Sequence, residues 1–177
     1  MPSTSQTKQL QIRQATVHDA ETIALIQIAS FKAACGTTLP ASFRSVSLAD
    51  SIAAFARRLA ENNSFVWLVE RDDEALGFVW MGESRDMDEE PNATAEIFDI
   101  HVIPSAVGKG LGSLLLKQAL AQATRMHFSE CTAWVTMQNH YAKMFYRDRA
   151  FVDDLGSVTC PLDSEPLAKM RFRLRIA

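Results

Sequence analysis

Ala95-Glu96-Ile97-Phe98-Asp99-Ile100-His101-Val102-Ile103-Pro104-Ser105-Ala106-Val107-Gly108-Lys109-Gly110-Leu111-Gly112 is the stretch on which the fold turns. Its first nine residues, Ala95 to Ile103, are rich in β-branched and aromatic types and predict a buried strand. Pro104 ends that strand, and a helix begins near Gly110, marked by Leu111, Leu114, Leu115, Ala119 and Ala123. Between them, Gly108, Gly110 and Gly112 let the backbone turn tightly and bring its N–H groups close to a ligand. The first N–H groups of a helix have no partner within it, and the helix dipole favours an anion there. A strand, a glycine turn and a helix start therefore predict a phosphate cradle. Strict alternation along the strand sets Glu96, Phe98 and Ile100 on one face and Ile97, Asp99 and His101 on the other. On that pattern only one of the two acids faces a substrate.

Two familiar phosphate loops do not fit. Walker A needs Gly-x-x-x-x-Gly-Lys-Ser/Thr, and the dinucleotide pattern Gly-x-Gly-x-x-Gly fails because the third glycine comes one residue early. Upstream, Phe65 to Val69 and Leu76 to Met81 flank the polar Arg71-Asp72-Asp73-Glu74 and predict a hairpin. Before it lie a short strand at Leu10 to Arg13 and a helix from Ala20 to Phe31. A second helix follows, with Ile52, Phe55, Ala56 and Leu59 on one face. Thr16 with Asp19, and Ser47 with Asp50, have the spacing of helix caps. Downstream, Thr132 to Met137 predicts a strand, His140 to Arg147 a short helix, and Met170 to Ile176 a half-buried strand with arginines at alternate positions. The order β-α-α-β-β-β-α-β-α-β-β predicts a mixed α/β domain with one sheet and helices on its faces. Residues 1–9 are expected to be a flexible tail and 10–177 a single domain.

The 177 residues carry 18 basic and 21 acidic side chains, a net charge of −3, with 47% apolar and 22% charged residues. That composition excludes a disordered chain and a protein that binds nucleic acid through bulk positive charge. No apolar run approaches the roughly 18 residues of a membrane span. The polar N-terminus does not resemble a secretory signal, so a cytoplasmic location is expected. Cys35, Cys131 and Cys160 are too scattered for a disulfide framework or zinc site, and the four histidines call for no metal.

Taken together, the Ala95–Val102 run, the Gly-Lys-Gly-Leu-Gly turn, Asn139-x-x-Ala142-x-x-Phe145-Tyr146 and Phe151 resemble the GCN5-related N-acetyltransferases (GNAT). Ile12-Arg13-x-Ala15-Thr16-x-x-Asp19-Ala20 is similar to that family's opening strand and first helix, so the likeness runs from about residue 10 to 175. It implies the α/β GNAT fold, with one mixed, mainly antiparallel sheet flanked by helices, and acetyl-CoA as co-substrate. The family's Gln/Arg-x-x-Gly-x-Gly/Ala grip on the coenzyme pyrophosphate falls on Val107 to Gly112, with Ser113 following. Gly110 and Gly112 match, whereas Val107 replaces the usual Gln/Arg and Lys109 offers a compensating charge. The resemblance also implies that the backbone of His101, Val102 and Ile103 pairs with pantetheine. The Val102 N–H would polarise the thioester carbonyl. Asn139 would hold the coenzyme arm, and Tyr146 would return a proton to the leaving thiolate. Glu96 matches the glutamate base of one branch of the family, with Asp99, His101 and water as the other bases. Ala150 stands where a glycine is usual.

The acceptor is expected to be a small-molecule or peptide amine, lying beside Gly36 to Pro40. Asp86, Asp88, Glu89 and Glu90 form an acidic loop that would attract a cation. Phe31, Phe43, Trp67 and Trp80 add apolar bulk. A homodimer is a further expectation. The alternative from a different class is a non-catalytic acyl-CoA sensor or interaction module with the same fold, motivated by Val107 and Ala150.

Overall fold

The computed structural model describes residues 9–35, 47–61, 63–89, 92–160 and 167–176. Seven strands run in sequence: β1 (Leu10–Gln14), β2 (Ser64–Arg71), β3 (Glu74–Glu83), β4 (Thr94–Val102), β5 (Glu130–Thr136), β6 (Val152–Cys160) and β7 (Leu167–Arg175). Among the described residues four helices accompany them: α1 (Ala20–Cys35), α2 (Leu48–Ala60), α3 (Leu111–Arg125) and α4 (His140–Arg147). The strands form one sheet in the order β1-β2-β3-β4-β5-β7-β6. All pairings are antiparallel except β4 with β5.

Local chemistry explains the elements. Asp72 and Asp73 join β2 to β3 with φ of 53° and 64°. A two-residue turn of that hand matches the twist of the strands, and aspartate tolerates it. Ser47 Oγ accepts the Asp50 N–H at 3.0 Å and caps α2. Asp19 accepts the Thr16 N–H at 2.7 Å in the short turn that leads into α1. Arg13 joins Asp19 at 2.7 Å and Glu70 at 2.7 Å, tying β1 and β2 to that turn.

The sheet separates two cores. One packs α1 and α2 on Val66, Leu68, Phe78 and Trp80. The other packs α3 and α4 on Val79, Met81, Ile97, Cys131, Ala133, Val135 and Phe172. Residues directly opposite in a ladder share a face, so the register settles which side chains join which core.

The register corrects the expected alternation along β4. Met81 pairs with Ile97 but Trp80 pairs with Asp99, leaving Phe98 as an extra residue in a β-bulge. The parity of the strand changes there. Glu96 lies opposite Gly82, Asp99 opposite Trp80, and His101 opposite Phe78. Both acids and the histidine therefore share the α1–α2 face, while Ile97, Ile100 and Val102 share the other.

The acidic loop is also corrected. Arg171 holds Asp86 at 3.0 Å, Asp88 at 2.8 Å and Asp154 at 2.7 Å, and Arg173 bonds to Glu89 and Glu130. Trp134 Nε1 donates to Asp86 at 3.0 Å, and Thr94 Oγ1 donates to Glu89 at 2.8 Å. The loop is pinned to β5 and β7 by its own chain's cations rather than held open for a ligand's. Glu90, Gly36 to Pro40 and Phe43 lie outside the described residues.

Candidate active site

The site is built around the parting of two strands. β4 and β5 pair only from Thr94 with Glu130 to Ile97 with Ala133. Beyond that point β4 keeps its partner β3 and β5 keeps β7, so a gap opens between their facing edges. Ile103 donates its N–H to Leu76 O at 2.9 Å, which commits it to the β3 side. Backbone groups alternate along a strand, so the Val102 N–H points into the gap while those of His101 and Ile103 do not.

Below the gap, a short turn at Pro104–Ala106 leads into the glycine segment. Gly108 and Gly110 both have φ of +79°, and a Cβ at either would meet nothing within 4 Å. The left-handed backbone calls for glycine, and the space beside it is open to a ligand. Leu114 donates its N–H to Gly110 O at 3.1 Å, which leaves those of Leu111, Gly112 and Ser113 without partners inside α3. These residues fit a pyrophosphate. Val107 is 47% exposed, and Lys109 Nζ donates to Ser105 O at 2.8 Å. Gly112 also serves packing, because a Cβ there would lie 3.0 Å from the Phe145 ring.

α4 supplies Tyr146. Its ring is 4% exposed and packs on Phe145, Phe151 and Phe172, with centroids 5.3, 5.1 and 6.0 Å away. Burial holds its hydroxyl well above the ordinary phenol range, so it stays protonated at neutral pH. Asn139 caps this helix, with Oδ1 accepting the Ala142 N–H at 2.9 Å. That leaves its amide N–H₂ for a ligand. Ala150 itself adopts the left-handed conformation, with φ of +63°.

On the α1–α2 face, Glu96 is 8% exposed and accepts the Arg85 N–H at 3.0 Å. Burial raises its pKa above the usual carboxylate value, the Arg85 N–H opposes this, and the Asp86 charge adds to it. Asp99 and His101 belong to a hydrogen-bonded chain. Gln27 Nε2 donates to Asp99 at 3.0 Å, His101 Nε2 lies 3.3 Å from Asp99, and His101 Nδ1 lies 3.0 Å from Ser30 Oγ. Cys131, behind Glu96, is pushed up to about 12 by burial and is an inert thiol.

Several neighbours escaped the sequence analysis. Gln27 and Ser30 carry no local motif. Arg149 joins α4 to α3 by bonding to Ser113 Oγ and to Phe145 O. Arg58 and Arg85 stack over Trp80 and Phe98. Only Arg58 left a signal, being a charge three residues from Phe55 on an apolar helix face.

The arrangement offers an anion cradle, a backbone donor in a strand gap, a protonated phenol and acids for an amine. A model of the Acetyltransferase (GNAT) family matches residues 33–151. The chain belongs to the GNAT family. An uncharacterized N-acetyltransferase of Archaeoglobus fulgidus is 30% identical to this GNAT chain over 103 residues, 52% of the chain and 70% of the relative. The structure of yncA from Salmonella typhimurium with its cofactor acetyl-CoA is 23% identical, with a TM-score of 0.72 over 96% of this chain and 95% of that one. The paiA N-acetyltransferase of Thermoplasma acidophilum, in complex with coenzyme A, is 17% identical, with a TM-score of 0.67 over 94% and 99%. Those two structures share the GNAT fold. Membership makes this GNAT chain an acetyl-CoA-dependent acyltransferase. Among the described residues no helix is long and apolar enough to cross a membrane.

Proposed function

We propose that this protein moves an acetyl group from acetyl-CoA to a primary amine by direct attack on the thioester. The observation that carries the reading is the gap beyond the Ile97–Ala133 pair, with the Val102 N–H at its edge and the open glycine turn below it. In this reading pantetheine adds to the free edge of β4, and the pyrophosphate meets the N–H groups of Leu111, Gly112 and Ser113. The Val102 N–H stabilises the oxyanion. The amine nitrogen bonds to the carbonyl carbon as the C–S bond breaks. Glu96 takes the proton the ammonium sheds before attack, directly or through water. Tyr146 protonates the departing thiolate and is reprotonated by the second proton, which the nitrogen gives up as the amide forms. The Asp99–His101 pair, on the same face, is the second route for the first proton.

The test combines thiol release from acetyl-CoA across a panel of amines with calorimetric binding of acetyl-CoA. Binding with amine-dependent release is expected. Binding without release for any amine would favour the sensor reading. Tyr146→Phe should lower kcat about a hundredfold with the acetyl-CoA Kd unchanged, the size of a lost general acid. Turnover near wild type would remove Tyr146 from that role.

A further inference from the structure

The wall that carries Glu96 and Asp99 also carries two guanidinium groups. Arg58, from α2, sits with its guanidinium carbon 4.4 Å from the Trp80 ring centroid and 5.3 Å from that of Phe55. Arg85, just past β3, sits 3.8 Å from the Phe98 centroid and 5.0 Å from that of Trp80. Trp80 and Phe98 touch, with centroids 4.6 Å apart. The group adjoins both acids, because Trp80 pairs with Asp99 and the Arg85 N–H donates to Glu96.

Among the described residues neither guanidinium has a hydrogen bond or ion pair to a carboxylate. The contrast with Arg171 and Arg173, which each hold several, is local and chemical. Stacking on aromatic faces positions a guanidinium without neutralising it or filling its donor fork. Burial and the nearby charge of Arg85 both work against the charge on Arg58, with Asp99 easing it. Such a pair gains most from an added anion. The Trp80 indole N–H is also buried without a partner among the described residues.

We infer that the acceptor is a zwitterionic amine of the α-amino-acid type, its ammonium addressed by Glu96 and its carboxylate held by Arg58 and Arg85. Charge of both signs within one aromatic-lined wall matches a ligand with both signs a few bonds apart. A polycationic acceptor would meet two like charges there. This inference rests on the transferase reading for the chemical step after binding, but the binding itself does not depend on turnover.

The experiment titrates the twenty proteinogenic amino acids, and the amines left when their carboxylates are removed, into protein loaded with coenzyme A. Coenzyme A has no acetyl group to give, so binding is read without reaction. At least one amino acid should bind about ten- to a hundredfold tighter than its decarboxylated partner, the span of a charge-assisted hydrogen-bonded contact. Arg85→Ala and Arg58→Gln should each erase that preference while leaving acetyl-CoA affinity and amine binding as they were. Arg85 is exposed, so its variant keeps the test sound if Arg58→Gln destabilises the fold. Equal binding of amines and amino acids, no binding by any amino acid, or a preference that survives both substitutions would overturn the inference. An amino acid that binds but is never acetylated would sustain it and remove the transferase reading instead. The same titrations on ligand-free protein keep those two failures apart should coenzyme A not bind.

Discussion

Glu96 combines a buried carboxylate with a single backbone donor, and its raised pKa has two consequences. As a base it works only when ionised, so log kcat/KM should rise with pH on the basic side of 4.5, its ordinary value. Glu96→Gln should abolish that limb and slow turnover about a hundredfold; an unaltered profile would assign the base to Asp99, His101 or water. Stability moves the other way. The unfolded chain releases this proton at lower pH than the folded one, so ionisation costs stability as pH rises through the window between them. The same variant should therefore melt higher than wild type at neutral pH. Glu96 could be singled out as a candidate base through the family resemblance of its Ala-Glu-Ile run. The face of Asp99 was not, because a bulge arises from how β4 pairs with β3, and no periodicity within one strand records an unpaired residue. Arg85 was illegible for a related reason: its partners, Trp80 and Phe98, come from two different strands.

At the scale of elements, the α4–β6 turn shows a local rule broken and compensated. Phe151 N–H reaches Tyr146 O at 3.1 Å and Ala150 N–H reaches Arg147 O at 3.1 Å, the pattern in which a left-handed residue closes a helix. Glycine is usual there, and its absence could be read directly from the sequence at Ala150. The left-handed strain falls on Ala150 itself, and the Tyr146–Phe151 contact over-determines it. Ala150→Gly should relieve about 1 kcal/mol and raise the Tm by about 2–4 °C in thermal unfolding. A lower Tm would mean that the methyl group packs more usefully than the turn is strained. The hairpin, the α2 cap and α4 were all readable because their signals are local. The parting of β4 from β5 follows from long-range pairing, and the family resemblance supplied it where the residues alone could not.

Across the whole molecule, arginine–carboxylate clasps hold the periphery. Arg13 lowers Asp19 from 3.8 to about 2, chiefly through their hydrogen bonds. Arg171 and Arg173 likewise lower Asp88 and Glu89. Each depressed carboxyl contributes stability above its unfolded pKa that is lost as pH falls toward its folded one. Their contribution to the Tm should hold steady above about pH 5 and be lost between about pH 4.5 and 2, opposite in sign to that of Glu96. The Asp19 shift, discounted because the Arg13 side chain is 40% exposed, is worth about 1 kcal/mol. Asp19→Asn should lose about that much at neutral pH and show a shallower acid limb in a Tm-against-pH series. An acid limb as steep as wild type would place the sensitivity in the Arg171 and Arg173 clasps.

The nine residues of β4 serve three neighbours at once. Ile97 and Ile100 are anchored in the α3 core, Glu96, Asp99 and His101 look toward α1 and α2, and beyond Ile97 one backbone edge is left without a strand beside it. On the proposed reading that edge recognises the donor through main-chain groups common to every residue type. Substitutions on the α1–α2 face can then alter which amine is accepted without disturbing how the donor is gripped. Donor use and acceptor choice are separable inheritances of a single strand, and descendants of this chain could exchange one while keeping the other.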